Sequence, residues 1–253
     1  MIEFKGWPKI PRLYREIVVT EKIDGTNAAI GIQVVPLGSW MMSGGFPAQY
    51  AGLHYDGENT VGSIAVYAQS RSRIITPDKD NHGFAAWVWE NAEALVSVLG
   101  PGLHFGEWWG SGINRGYGLL KGERRFSLFN TSRWNDQTLS DTTHPNIPEL
   151  GAVPILYRGE FSTLAVQGAM QQLRLGGSVA APQFMRPEGV VVFHTAANAM
   201  FKATLEDDAQ PKALTAVGSA ETTTLRLTTA SVQYELPATS GESYTREDLA
   251  LAA

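Results

Sequence analysis

The sequence predicts an α+β protein, and three observations lead there. Short β-branched apolar runs recur along the chain, Ile17-Val18-Val19 and Val190-Val191-Val192 being the plainest. One stretch, Asn81 to Leu99, has the three-and-four spacing of an amphipathic helix. No repeat or low-complexity linker divides the 253 residues, a length that can bury a substantial core.

Composition narrows the class. Hydrophobic residues at 43% and charged residues at 18% are those of an ordinary globular protein. The absence of cysteine excludes disulfides and thiolate metal sites. Met1 to Lys5 lacks the apolar core of a signal peptide, and no apolar run reaches membrane-spanning length, so a cytoplasmic enzyme without membrane contact is expected. The net charge of −5 requires any grip on nucleic acid to be local. Two basic clusters, Lys5, Lys9, Arg12, Arg15 and Lys121, Arg124, Arg125, read as solvated faces before they read as a nucleic-acid groove.

Taken in order, the first strand is the run at 17–19 and the second is 28–35. Between them stands Glu21-Lys22-Ile23-Asp24-Gly25-Thr26-Asn27. Asp24-Gly25 predicts a hairpin turn, because glycine accepts positive φ. A turn needs nothing from Lys22; a functional reading makes it a nucleophile held at a strand end. Residues 36–62, rich in glycine, read as a long excursion between strands. Ile64 to Ala68 returns to strand character and runs into Arg71 and Arg73. In the helix, Phe84, Val88, Ala92, Leu95 and Leu99 make one stripe, Asp80 or Asn81 caps its start, and Gly100-Pro101 ends it.

Leu103 to Trp109 reads as a strand bearing one carboxylate, Glu107, among aromatic residues. Gly110 to Gly118 is glycine-rich but lacks the Gly-Lys-Ser/Thr ending of a phosphate-binding loop, so it reads as a loop beside the active site. Arg125 to Asn130 is a strand with alternating aromatics. Signals weaken from Thr131 to Gly177, where Phe161 to Leu173 suits a helix. Pro187 to Phe193 reads as a buried strand opened by Glu188 and Gly189, and Ala199 to Ala203 follows with Lys202. Two strand-like runs, Thr223 to Leu227 and Val232 to Leu236, are too short for a second domain. The division expected is residues 1–210 as one domain and 211–253 as an extension packed on it.

Lys22-Ile23-Asp24-Gly25 resembles the first motif of the covalent nucleotidyltransferases, the polynucleotide ligases and capping enzymes. With Glu21 before it and Thr26-Asn27 after, it is most similar to ATP-dependent RNA ligases of the RNA ligase 2 type. Gly106-Glu107, Phe129, Glu188-Gly189-Val190-Val191 and Lys202 resemble the later motifs, in family order over about residues 17 to 205. The resemblance implies the nucleotidyltransferase (ATP-grasp-like) fold, antiparallel sheets with flanking helices around a nucleotide cleft. The strand signals fit that fold without selecting it. It also implies ATP as substrate and Mg²⁺ or Mn²⁺ as cation. Lys22 would take AMP covalently, with Asp24 and Lys202 as its catalytic partners. Glu188 would hold the metal. Glu21, Asn27, Arg71, Glu107 and Phe129 would bind nucleotide, with Arg73 and Phe126 as alternatives for the arginine and the base-stacking ring. Two departures stand out: Asn130 replaces a frequent Asp, and Thr204 replaces a second lysine, for which Lys212 is a substitute.

An ordinary lysine, with a pKa of about 10.4, is neutral in only about one molecule in a few thousand at pH 7. Neighbouring cations or desolvation must expose the lone pair. The carboxylate-rich, cysteine-free motif set suits a hard divalent cation. The expected partner is nucleic acid with 5′-phosphate and 3′-hydroxyl ends, RNA favoured. A DNA ligase, a capping guanylyltransferase and a degenerate nucleotide-binding protein that does not ligate are the competing readings.

Overall fold

The computed structural model describes residues 3–37, 47–56, 58–139 and 147–206. Lys212, the strand-like runs of the tail and the extension at 211–253 lie outside them. Two sheets make the framework. The first has the order β11-β10-β1-β9, built from β1 (Glu16–Lys22), β9 (Ile155–Glu160), β10 (Gly189–His194) and β11 (Ala199–Thr204), antiparallel throughout. The second has the order β3-β4-β2-β6-β7-β8: β2 (Thr26–Val35), β3 (Gln49–Asp56), β4 (Asn59–Ser70), β6 (Gly102–Gly110), β7 (Arg124–Leu128) and β8 (Leu150–Ala152). The two-residue β5 (Ile74–Ile75) pairs with β4. Among the described residues the expected antiparallel pattern breaks once, where β7 and β8 run parallel.

The α+β class holds, but the predicted hairpin does not form. β1 pairs with β9 and β10, whereas β2 pairs with β4 and β6. Ile23 to Gly25 therefore carries the chain from one sheet to the other. Nor is Gly25 needed for positive φ: it is absent from the glycines in that region. A Cβ there would strike the Trp108 carbonyl oxygen and come within 2.8 Å of Trp109 Cβ and 2.9 Å of Glu107 Cγ. Close approach of two strands, rather than turn geometry, demands glycine.

Period-two alternation sorts each sheet into two faces. Ile17, Val19, Val190 and Val192 point one way and are covered by α4 (Thr163–Gly176) through Ala169 and Leu173. In the second sheet Ile30, Val66, Phe126 and Leu128 bury against two helices, α1 (Phe84–Glu90) and α2 (Ala92–Leu99); a four-residue helix, α3 (Asp136–Leu139), lies beyond β7. The expected stripe is buried as drawn, but the single predicted helix is two. Asn91 breaks it, with φ −104° and ψ 14° and its side-chain amide donating to the Trp87 carbonyl at 2.9 Å. An asparagine that competes for main-chain acceptors ends helices in this way. Asp80 makes the cap, its carboxylate accepting from the amides of Ala85 at 2.8 Å and Ala86 at 3.0 Å.

The glycine-rich excursion is partly strand. β3 pairs with β4 despite two register shifts and a positive φ at Gly52, and β4 begins at Asn59 rather than near Ile64.

Candidate active site

Lys22 ends β1 on the face away from α4. Its Nζ lies 2.6 Å from Glu188 Oε2, the residue that opens β10, and both side chains are mostly shielded from water. Register explains the meeting: Lys22 pairs with Gly189, and Gly189 with Thr204. A Cβ at Gly189 would collide with the main chain of Ala203 and Thr204, so nothing larger fits between the strands. One row along, Thr20, Val191 and Lys202 share this face. Lys202 is exposed, and two strand spacings and two residues of rise separate its Cα from that of Lys22, about 12 Å. Thr204 occupies the position directly across Gly189 from Lys22, and its hydroxyl donates to the Glu206 carbonyl at 2.8 Å.

Alternation sends Glu21 to the opposite face. It is 1% exposed, and its Oε2 accepts from the amides of Val179 at 2.8 Å and Ala180 at 2.9 Å, while Oε1 has no hydrogen-bond partner among the described residues. Burial pushes this carboxyl above its ordinary range, against the opposing pull of the Ser178 side chain and the two amides. This placement makes Glu21 an anchor for the 178–181 turn.

The Asp24-Gly25 link is clamped by residues with no part in the expected site. Asn114 donates its side-chain amide to Asp24 Oδ1 at 2.9 Å and to the Gly25 carbonyl at 2.6 Å. Arg115 Nε donates to Asp24 Oδ2 at 2.9 Å, and its other nitrogens reach the Arg186 carbonyl and the Glu206 carboxylate at 3.0 to 3.3 Å. The Asp24 amide donates to the Tyr117 hydroxyl at 2.7 Å. Burial raises that phenol far above its ordinary value. Asn114 and Tyr117 both take positive φ, 42° and 52°. The glycine-rich loop thus lies against the Lys22 turn. The signal that would have found the clamp is the polar Asn114-Arg115 pair and the lone Tyr117 set among its glycines.

Glu107 Oε1 accepts from the Gly25 amide at 3.1 Å. Burial lifts its pKa to about 7; the amide and Lys22 pull it down, and the charges of Glu188 and Asp24 push it up. Asn27 pairs with Glu107 in register, on the same face. Arg71 stands just past β4, one step beyond the Ala28–Ser70 pair, exposed and without a hydrogen bond or ion pair among the described residues. Arg73, its alternative, is engaged, donating to the Lys79 carbonyl at 3.0 Å. The two aromatics separate too. Phe126 is fully buried, 5.0 Å from the Phe84 ring and 6.1 Å from Trp87, so it has no face for a base. Phe129 lies just beyond β7, 37% exposed, its amide on the Phe105 carbonyl at 3.0 Å. Ile23, Trp109, Tyr117, Val153 and Ala181 form a small buried cluster where the two sheets meet.

Among the described residues no three His, Cys, Asp or Glu side chains converge as a metal cage. Glu188 uses only Oε2 toward Lys22 and keeps some exposure, a donor set suited to a cation that retains water and takes phosphate oxygens.

Comparison with known proteins adds three findings. The model of the family described as RNA ligase matches residues 15–204. An apo mutant of RNA ligase R4a from Naegleria gruberi is similar at 19% identity and a TM-score of 0.43, over 75% of this chain and 49% of that one, so the chain spans about half its length. No curated protein matches.

Proposed function

We propose, from the premise that this chain belongs to the RNA ligase family, that it is an ATP-dependent RNA ligase with Lys22 as its covalent nucleophile. The observation that carries the reading is the 2.6 Å pairing of Lys22 Nζ with Glu188, residues 166 apart in the chain, beside the half-buried carboxyl of Glu107.

Three transfers make up the reaction. The neutral Lys22 amine attacks the α-phosphorus of ATP; a P–N bond forms, the bond to pyrophosphate breaks, and the amine sheds a proton. A terminal 5′-phosphate oxygen of an RNA then attacks the same phosphorus, breaking the P–N bond and giving a 5′–5′ pyrophosphate. A 3′-hydroxyl attacks the RNA phosphorus of that linkage, a phosphodiester forms, and AMP leaves. Positioning and charge stabilisation dominate such chemistry.

Asn27, Arg71 and Glu107 would line the sugar and phosphate side of a cleft between the sheets, and Phe129 would stack on adenine. Lys202 would place its charge toward the phosphates. Asp24 serves by holding the turn through Asn114 and Arg115, and Glu21 by fixing the strand behind Lys22. Glu188, with water, would hold Mg²⁺ or Mn²⁺, which when bound neutralises phosphate charge.

The test is labelling with ATP carrying label at the α-phosphate, in Mg²⁺ or Mn²⁺, followed by a denaturing gel. Label should stay on the protein and vanish in Lys22→Ala, and chase with 5′-phosphorylated nicked or single-stranded RNA should release it into RNA. Persistent label in Lys22→Ala would overturn the nucleophile. Absence of label in folded wild-type protein would favour a degenerate nucleotide-binding protein, and transfer to DNA alone would favour a DNA ligase.

A further inference from the structure

Residues 3–15 precede β1 as neither helix nor strand, and the ligase chemistry leaves them without a task. Phe4 is 93% exposed, Trp7 87% and Ile10 81%. Large apolar groups left together in water mark interaction surfaces. Cations alternate with them: Lys5, Lys9, Arg12 and Arg15, against Glu3 alone, in a chain whose net charge is −5. Phe4, Lys5, Trp7, Lys9, Ile10 and Arg12 make no hydrogen bond, ion pair or ring contact among the described residues.

The stretch has a period of three. Phe4-Lys5-Gly6, Trp7-Pro8-Lys9, Ile10-Pro11-Arg12 and Leu13-Tyr14-Arg15 repeat an apolar residue first, with a cation last in three of the four triplets. Pro8 and Pro11 fix their own φ and bias the residues before them toward extended backbone. In a polyproline II conformation, at three residues per turn and about 3.1 Å of rise, the apolar residues fall on one edge and Lys9, Arg12 and Arg15 on another. Each edge then repeats at about 9 Å.

Its root is fixed. His194 Nε2 donates to the Leu13 carbonyl at 2.7 Å, the Phe161 amide donates to the Arg15 carbonyl at 2.8 Å, and the Tyr14 ring lies 6.3 Å from Phe161. This root stands at the end of β1 opposite Lys22, about 20 Å away at the usual strand rise. The ten residues before Leu13, if extended, reach about 31 Å, enough to span that distance.

We propose that residues 3–15 form an arm that holds single-stranded RNA, with Phe4 and Trp7 stacking on bases and Lys5, Lys9 and Arg12 contacting phosphates; the occupant rests on the ligase reading above. Rings and cations in alternation are how proteins bind a single strand without reading its sequence, because every base has a π-face and every linkage a charge. The arm supplies a local grip of the kind an acidic chain needs.

The test uses the full chain and a fluorescein-labelled single-stranded RNA 12-mer, with affinity read by anisotropy at several salt concentrations. The double variant Phe4→Ala/Trp7→Ala should bind about tenfold or more weakly at each salt concentration. The triple variant Lys5→Gln/Lys9→Gln/Arg12→Gln should lower the slope of log affinity against log salt by about 2. Both should retain wild-type unfolding temperature and label at Lys22 with ATP alone, which shows them folded. Aromatic-variant affinity within twofold of wild type, an unchanged slope in the charge variant, or no RNA binding by the wild type would each overturn the arm. Loss of ATP labelling in the wild type would instead strike the ligase reading and leave the binding result standing on its own.

Discussion

Gly25→Ala separates two explanations of one glycine. The added Cβ meets the Trp108 carbonyl oxygen, Trp109 Cβ and Glu107 Cγ, and the first two are main chain or attached to it, so they cannot swing aside. Overpacking of this kind costs about 1–3 kcal/mol. For a chain of this size each kcal/mol lowers Tm by roughly 2–4 °C, so a fall of about 2 to 12 °C is expected. Gly25→Asn decides the cause. Were the glycine there for positive φ, asparagine would be tolerated better than alanine; because the constraint is contact, the larger asparagine should be at least as damaging. Thermal unfolding of the three proteins by circular dichroism, with ATP labelling of Lys22 alongside, makes the measurement. A displacement of the turn by about 1 Å is expected to slow labelling roughly a hundredfold. A Tm change under about 1 °C for Gly25→Ala, or an asparagine variant more stable than the alanine one, would refute the close-approach argument.

Two more predictions concern stability. The Glu107 carboxyl is raised from 4.5 to about 7, so the folded state binds its proton more tightly than the unfolded chain does. Its contribution to stability is therefore lost as pH rises from about 4.5 through 7, a span worth roughly 3 kcal/mol at most. Without divalent cation, Glu107→Gln should gain on wild type progressively across that window and hold a constant advantage above it; parallel Tm–pH curves would contradict this. Asp80→Ala removes the acceptor of two helix amides and should cost about 1 kcal/mol, or roughly 2–4 °C in Tm; an unchanged Tm would show that water caps the helix as well.

What the sequence revealed was mostly what short spacing encodes. The stripe from Phe84 to Leu99, the strands near 103–109 and 189–194 and the helix ending near Leu173 follow from local periodicity, which neighbouring residues enforce. The misread hairpin shows the boundary. Asp24-Gly25 carries turn chemistry whether or not its flanking strands pair, and the partners that decide the matter, β9 and β10, lie far down the chain. β9 itself, Ile155-Leu156-Tyr157-Arg158-Gly159-Glu160, is half-exposed along its length and so shows no clean apolar alternation. Phe126 stood as the alternative to Phe129 because both are phenylalanines near one strand; only the phase set by buried Trp108 and Leu128 assigns Phe126 to the core. Asn114, Arg115 and Tyr117 were hidden for another reason. Their work is hydrogen bonding to the main chain and carboxylate of a turn about 90 residues earlier, a relation with no periodic signature.

The strand bearing Lys22 also sets an order in time. β2, β4, β6 and β7 pair with strands that all end by Ala152, so their sheet can assemble while the rest of the chain is still being made. β1 comes first in the chain, yet its pairing residues begin only at Ile155 on one side and Gly189 on the other. At typical synthesis rates of about 5–20 residues per second, Lys22 waits on the order of ten seconds for Glu188. A nascent chain therefore carries Lys22 long before it carries the surroundings that the proposed nucleophile needs.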